Sequence, residues 1–367
     1  MNVARSNEPV YIIAEAGVNH NGNKDLAYQL IDVAVAAGAD AVKFQTFRAE
    51  NLVTIDADKA DYQKQTTNSD ETQFAMLKRL ELEYDVHHEL LTYCDKNGID
   101  FLSTAFDMES LDFLVNELKL KTLKIPSGEI TNAPLILAHA MTDCNLILST
   151  GMARLSEIEA ALGVLAYGLL SNNEINFMPS KKEFEKAYLS EAGQKKLNEK
   201  ITILHCTSEY PAPPEEINLN AMISMKNAFG LKIGYSDHSE GIVVPIAAVS
   251  LGAGLIEKHF TLDKSFPGPD HKASLEPGEL KEMVAAIRTV EKVMGTGIKG
   301  PMPSEFKNRD IVRKSIYATT DIKIGETFTE YNIGMKRPGT GISPMEYWEI
   351  LGNVAERSYS KEEIIKK

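Results

Sequence analysis

The sequence predicts an α/β protein in which a (β/α)8 barrel, the TIM-barrel architecture, precedes a small β-rich domain. Short β-branched runs alternate with helical periods through residues 1–294, a rhythm that indicates parallel strands joined by crossover helices. Eight such runs are present, which favours a closed barrel over a doubly wound sheet with its roughly five or six strands. The 367 residues also exceed the guide of about 150 per domain, which leaves room for a second unit.

The strands of the barrel are predicted in chain order at 10–15, 40–45, 100–104, 122–125, 146–150, 201–206, 231–236 and 255–260. The segments between them are amphipathic; in the first, Leu26, Leu30 and Val33 share one apolar face at helical spacing. Two polar stretches, 48–80 and 172–200, interrupt the rhythm and are expected to be excursions from the barrel.

The pattern breaks after the last helical segment. Gly, Pro and polar residues replace the apolar period over 295–313, which predicts a linker. Residues 314–367 then form short strand-like runs and turns, which predicts a small β-rich second domain.

Composition and charge exclude several classes of function. The net charge of −13 argues against nucleic-acid binding, so any anionic ligand needs a local pocket of positive charge. The three cysteines form no Cys-x-x-Cys pair, and the first ten residues lack the apolar core of a signal peptide. We therefore expect a cytoplasmic protein without a membrane span.

Polar side chains lie at the end of every predicted strand. In a parallel barrel the loops that follow the strands converge on one face, and chemistry gathers there. The residues at these ends predict a catalytic mouth: Glu15, Asn19, His20, Lys43, Gln45, Ser103, Thr104, Lys124, Ser127, Glu129, Ser149, Thr150, His205, Ser236, Asp237, His238 and His259.

His238 and His259 are the candidate metal ligands. They are one βα repeat apart, which places them at the ends of neighbouring strands, about 5 Å from each other. Two imidazoles with an oxygen from Glu15, on the strand that closes the barrel, suit a catalytic divalent ion such as Mn²⁺, Mg²⁺ or Co²⁺. The alternative is that the histidines only satisfy hydrogen bonds of the core.

Lys43 and Lys124 interrupt apolar strands, where a buried ammonium is costly unless an anion neutralises it. They predict a pocket for a phosphate or carboxylate, although a Schiff-base lysine or a structural pair with Glu15 or Glu129 would also explain them. Hydroxyls that precede helical segments would complete the anion pocket: Ser127, Ser149 and Thr150.

Two other stretches carry ionisable residues. The Pro-Gly segment 266–280 follows the last strand, so Asp270 either binds sugar hydroxyls or simply belongs to an ordered loop. His87 and His88 lie in a helical stretch away from any strand end, and we predict both on the surface.

The motifs together resemble those of the bacterial sialic acid (N-acetylneuraminate) synthases and their legionaminic acid relatives. The resemblance runs nearly end to end, and the C-terminal piece is similar to the antifreeze-like (SAF) domain of that family. The matching stretches include IIAEAGVNHNG, AVKFQTF, LKIPSGEITN, LHCTSEYPAP, GYSDHS, IEKHFTLD and KRPGTGISPMEY.

The resemblance implies a condensation of phosphoenolpyruvate with an N-acylated hexose. It assigns the metal, usually Mn²⁺, to His238 and His259, and gives Glu15 a bridging role between metal-bound water and the reacting centre. Arg337 would reach the barrel of a partner subunit, which implies a homodimer with exchanged C-terminal domains. Phosphoenolpyruvate would contact Lys43, Gln45, Thr104, Lys124, Ser127, Ser149 and Ser236, and the sugar would contact Glu129, Tyr210 and Asp270.

The family contains several sugar specificities. We expect N-acetylneuraminate from N-acetylmannosamine, with N,N′-diacetyllegionaminate from 2,4-diacetamido-2,4,6-trideoxymannose as the alternative. Two other classes compete with a synthase: a Schiff-base aldolase or lyase that uses Lys124, and a sugar or ice binder suggested by the antifreeze-like tail.

Overall fold

A computed structural model describes residues 8–67, 70–171 and 178–366. The chain divides into two compact units, Met1–Gly295 and Thr296–Lys367. Residues 172–177, which begin the predicted excursion 172–200, and residues 1–7 of the amino-terminal segment lie outside the described residues.

The first unit is a closed barrel of eight parallel strands, which confirms the predicted fold class. β1 pairs with β2 and with β8, so the sheet has no open edge. The strands are β1 (Tyr11–Gly17), β2 (Ala41–Thr46), β3 (Asp100–Ala105), β4 (Thr122–Ile125), β5 (Asn145–Ser149), β6 (Ile201–His205), β7 (Lys232–Asp237) and β8 (Leu255–His259).

Helices cover the outside of the barrel and bury their apolar faces against the strands. α1 begins at the N-cap Asn23 and ends at Gly38, whose φ of 79° is the left-handed conformation that favours glycine. The helices of this unit are α1 (Lys24–Ala37), α2 (Ala49–Leu52), α3 (Asp61–Thr66), α4 (Gln73–Leu80), α5 (Tyr84–Asn97), α6 (Met108–Asp112), α7 (Ala133–Ala140), α8 (Leu155–Leu170), α9 (Lys181–Leu189), α10 (Glu191–Lys200), α11 (Asn220–Phe229), α12 (Val243–Ser250) and α13 (Pro277–Val293).

The inside of the barrel is filled in layers. An apolar layer, which we call the floor, consists of strand residues that pack against one another: Ile13, Ala41, Leu102, Ile147, Leu204 and Leu255. Side chains alternate across a strand, so the residue two positions after each floor residue also faces inward, one layer nearer the mouth. On five of these six strands that next residue is polar: Glu15, Lys43, Thr104, Ser149 and Glu257.

The second unit has a small antiparallel sheet of β9 (Ser315–Ala318) and β10 (Ile333–Lys336). Its own core includes Ile316, Phe328 and Tyr359. The segment 295–313, predicted as a linker, contains a short and fully exposed helix, α14 (Phe306–Val312). Another short helix, α15 (Tyr347–Ile350), follows later in the chain.

Among the described residues, no helix is both long enough and apolar enough to span a membrane.

Candidate active site

Four buried charges lie inside the barrel, one layer above the floor. Lys43 Nζ lies 2.7 Å from Glu15 Oε2 and 3.5 Å from Glu257 Oε2. Lys124 Nζ lies 3.0 Å from Glu257 Oε1. All four side chains are at most 5% exposed, so the ion pairs replace water almost completely. We call these four residues the charge cluster.

Hydroxyl groups surround the charge cluster. Lys43 Nζ donates a hydrogen bond of 3.0 Å to Thr104 Oγ1, and Ser236 Oγ donates one of 2.8 Å to Glu257 Oε1. Ser149 Oγ is buried and has no hydrogen-bond partner among the described residues. It is therefore available to a ligand that enters this layer.

The two carboxyl groups of the cluster differ in acidity. Burial raises the pKa of Glu15 to about 7, although neighbouring Lys43 opposes the shift. Burial also acts to raise the pKa of Glu257, but Lys124 and Lys43 outweigh it and hold that pKa well below its ordinary value. When Glu15 is protonated, two ammonium groups face one carboxylate, so the cluster presents net positive charge to an anion.

Sequence analysis missed Glu257, the carboxylate that pairs with both lysines. We considered only the last residues of each strand, whereas Glu257 precedes the strand-end residue His259 by two positions. The alternation of side chains along β8 is the signal that would have found it, because both residues face the interior.

His238 and His259 lie side by side at the mouth, with ring centroids 5.5 Å apart. His238 Nδ1 donates a hydrogen bond of 2.6 Å to the carbonyl oxygen of Thr207, which leaves Nε2 with a free lone pair. His259 Nδ1 is buried and has no hydrogen-bond partner among the described residues; Asp270 Oδ2 is 3.9 Å away. Burial lowers the pKa of His238 to about 4 and holds that of His259 well below its ordinary value, so both rings are neutral near pH 7.

Two neutral imidazoles with unused lone pairs are suitable donors for a divalent ion. Over the ranges that the structure describes, no three or more His, Cys, Asp or Glu side chains come together as a complete ligand set. The histidines therefore offer part of a coordination shell, and water or substrate oxygens would have to supply the rest.

A second group of hydroxyls lies beyond the ends of β4, β5 and β6. The backbone N–H of Gly151 donates a hydrogen bond of 3.0 Å to Ser127 Oγ, which is 3.1 Å from Cys206 Sγ. A Cβ at position 151 would lie 2.3 Å from Ser208 Oγ and 2.8 Å from Ser127 Oγ. A side chain at this position would therefore have to displace these two hydroxyl groups.

Aromatic and acidic side chains line the other side of the mouth. The Tyr210 ring stacks on His238 at 4.1 Å and meets the edge of His259 at 5.6 Å. Asp270 is buried, and burial raises its pKa to about 6. Gln45 and Glu129 are half-buried at the ends of their strands, and Glu129 accepts a hydrogen bond of 2.7 Å from Asn132.

Asp237, predicted at the mouth, and His87, predicted on the surface, lie elsewhere. Asp237 faces away from the mouth and forms a fully buried ion pair of 2.6 Å with Lys258, its register partner on β8. His205 Nε2 donates a hydrogen bond to the carbonyl oxygen of Ile217.

The surface prediction is wrong for His87, which is buried and 3.0 Å from Thr46 Oγ1, whereas His88 is exposed. Arg337 is an exposed residue of the second unit.

A closed (β/α)8 barrel with buried lysines and paired histidines at its carboxyl-terminal mouth is the architecture of a barrel enzyme. The chain belongs to the NeuB family, whose model matches residues 30–299, and residues 313–367 match the SAF domain. The resemblance inferred from the motifs is thus confirmed.

Individual relatives cover nearly the whole chain. It is 52% identical to N,N′-diacetyllegionaminic acid synthase of Campylobacter jejuni over 97% of this chain and 98% of that protein. The enzyme of the same name from Legionella pneumophila is 45% identical, over 94% and 89%. A crystal structure of N-acetylneuraminic acid (sialic acid) synthetase from Leptospira borgpetersenii, in complex with citrate, matches with a TM-score of 0.65 and 32% identity, covering 84% of this chain and 94% of that one.

Proposed function

We propose that this protein is an N,N′-diacetyllegionaminate synthase. It condenses phosphoenolpyruvate with 2,4-diacetamido-2,4,6-trideoxymannose and water to give the nine-carbon 2-keto acid and phosphate. The observation that carries the proposal is the charge cluster beside the histidine pair, in a chain 52% identical to an enzyme of that name. Our first expectation, N-acetylneuraminate, fits the family, but the relatives favour the alternative.

The charge cluster is the proposed site of phosphoenolpyruvate. Lys43 and Lys124 supply local positive charge inside the barrel of a chain whose net charge is −13. Hydroxyl and amide groups of neighbouring strand ends supply hydrogen bonds to the carboxylate and phosphate oxygens. These groups belong to Gln45, Thr104, Ser127, Ser149 and Ser236.

His238 and His259 are the proposed ligands of a divalent ion, with Mn²⁺ first and Mg²⁺ or Co²⁺ as alternatives. Their neutral rings and free lone pairs fit such an ion. When bound, the ion would act as a Lewis acid that polarises the aldehyde of the open-chain sugar.

The side chains of the barrel then orient the two substrates. Carbon 3 of phosphoenolpyruvate attacks the aldehyde, water adds at carbon 2, and the tetrahedral intermediate loses phosphate by C–O cleavage. Glu15 lies beside Lys43, and burial raises its pKa to about 7, so it can hold or release a proton; its proposed role is to orient the water. Glu129, Tyr210 and Asp270 bind the sugar.

The sugar specificity is tested by a side-by-side assay. With phosphoenolpyruvate and Mn²⁺ present, we expect phosphate release with 2,4-diacetamido-2,4,6-trideoxymannose at a kcat/KM at least about 10-fold above that with N-acetylmannosamine. The nine-carbon product is identified by mass spectrometry. A preference for N-acetylmannosamine would restore the sialic acid assignment, and phosphate release with neither sugar would contradict a synthase.

The metal assignment is tested with His259→Ala. Removing one of two imidazole ligands should weaken Mn²⁺ binding and lower turnover by roughly 100-fold or more. Free Mn²⁺ is measured by electron paramagnetic resonance during a titration, and His88→Ala, on the exposed face of α5, is the matched control. Undiminished Mn²⁺ affinity in His259→Ala would remove this residue from the metal site.

The assembly of the protein and its location in the cell are also proposed. A homodimer with exchanged C-terminal domains would bring Arg337 to the partner's sugar site, and the exposure of Arg337 in its own unit leaves it available for that role. The cytoplasm is the proposed location, and the free, buried state of all three cysteines agrees with a reducing compartment.

Subunit complementation tests the exchanged dimer. His259→Ala and Arg337→Ala are each expected to be inactive, but a mixed dimer would contain one site with neither defect. Equal co-expression should therefore restore about a quarter of the wild-type activity by random pairing of subunits. If Arg337 acts within its own chain, both sites of a mixed dimer are defective and no activity returns.

A further inference from the structure

The excursion after β2 returns to the mouth of the barrel through α3. The ring of Tyr62, on this helix, lies against the ring of Tyr210 with centroids 5.1 Å apart and planes at 32°. Thr66, at the other end of α3, donates a hydrogen bond of 3.5 Å to the carbonyl oxygen of Pro269. The helix therefore contacts the loops that follow β6 and β8, the two loops that carry the proposed sugar ligands Tyr210 and Asp270.

The rings form a continuous series from the histidines outward. His238 is stacked on Tyr210, and Tyr210 packs against Tyr62, so Tyr62 lies one ring layer farther from the histidines. Burial raises the pKa of Tyr62, and the negative charge of Asp270 raises it further, so the phenol stays neutral. Tyr62 thus extends the wall of the mouth on the side of Tyr210 and Asp270.

The two candidate sugars differ at the end that is remote from the aldehyde. 2,4-Diacetamido-2,4,6-trideoxymannose has an acetamido group at carbon 4 and a methyl group at carbon 6, whereas N-acetylmannosamine has hydroxyl groups at both carbons. In the proposed binding mode, the aldehyde lies at the histidines and the sugar runs along the stacked rings of Tyr210 and Tyr62, so its remote carbons reach the second ring layer. An aromatic face packs well against methyl groups, and a hydroxyl buried there without a partner is penalised.

We propose that Tyr62 determines sugar specificity: its ring packs against carbons 4 to 6 and favours the 2,4-diacetamido-6-deoxy sugar over N-acetylmannosamine. This inference rests on the proposed function and goes beyond it, because it assigns the discrimination to a residue of the excursion rather than of a strand end. Sequence analysis gave no signal for Tyr62, since the segment 48–80 was only recognised as an interruption of the barrel.

The test compares Tyr62→Ala with Tyr62→Phe, using both sugars at saturating phosphoenolpyruvate. Tyr62→Ala should lower kcat/KM for the diacetamido sugar by about 10- to 100-fold, mainly through KM, and that for N-acetylmannosamine by less than about 3-fold. Tyr62→Phe keeps the ring and should retain the wild-type preference. Asp61→Ala, an exposed neighbour on α3, is the control and should behave as wild type.

A second readout separates specificity from a general loss of structure. The KM for phosphoenolpyruvate of Tyr62→Ala should stay close to wild type, because the described ring contact of Tyr62 is with Tyr210 and not with a residue of the charge cluster. An equal loss of kcat/KM with both sugars, or an unchanged preference, overturns the role of Tyr62 while the wild-type activity still supports the proposed function. A wild-type enzyme that prefers N-acetylmannosamine overturns both.

Discussion

Two lysines and two glutamates share the inside of the barrel with almost no water around them, and the cost of that burial constrains the rest of the site. Removing a charge from water costs several kcal/mol, and pairing offsets this only when the geometry is good. Here Lys43 and Lys124 converge on Glu257, while Glu15 pairs with Lys43. An anion that enters this layer finds ammonium groups already held in place, so little reorganisation is needed when it binds.

The closed barrel produces this arrangement of charges because side chains alternate between the interior and the exterior along each strand. Floor residues such as Ile13 and Leu255 seal the interior from below, and Glu15 and Glu257, two positions farther along the same strands, carry the charge. On the opposite side of β7 and β8, Asp237 and Lys258 are partners in the strand register and form a buried ion pair. His238 and His259 follow these two partners in the chain and lie side by side at the mouth.

The sequence predicted those features that follow from periodicity within one strand or from the ends of strands. The eight strands, the two lysines and the histidine pair are of this kind, and the structure brings these side chains together. It did not predict Glu257, because strand ends alone were considered, nor the burial of His87. The contact of Tyr62 with Tyr210 joins segments far apart in the chain, and no local pattern encodes such packing.

In the proposed mechanism the charge cluster receives phosphoenolpyruvate beside an ion held by His238 and His259. A crystal structure of the enzyme with phosphoenolpyruvate and Mn²⁺ tests it most directly. We predict that the ligand contacts the ammonium groups of Lys43 and Lys124, with the anomalous signal of manganese between the two imidazoles. Phosphoenolpyruvate bound elsewhere, with the lysines still paired only to Glu15 and Glu257 and no manganese at the histidines, would contradict the account.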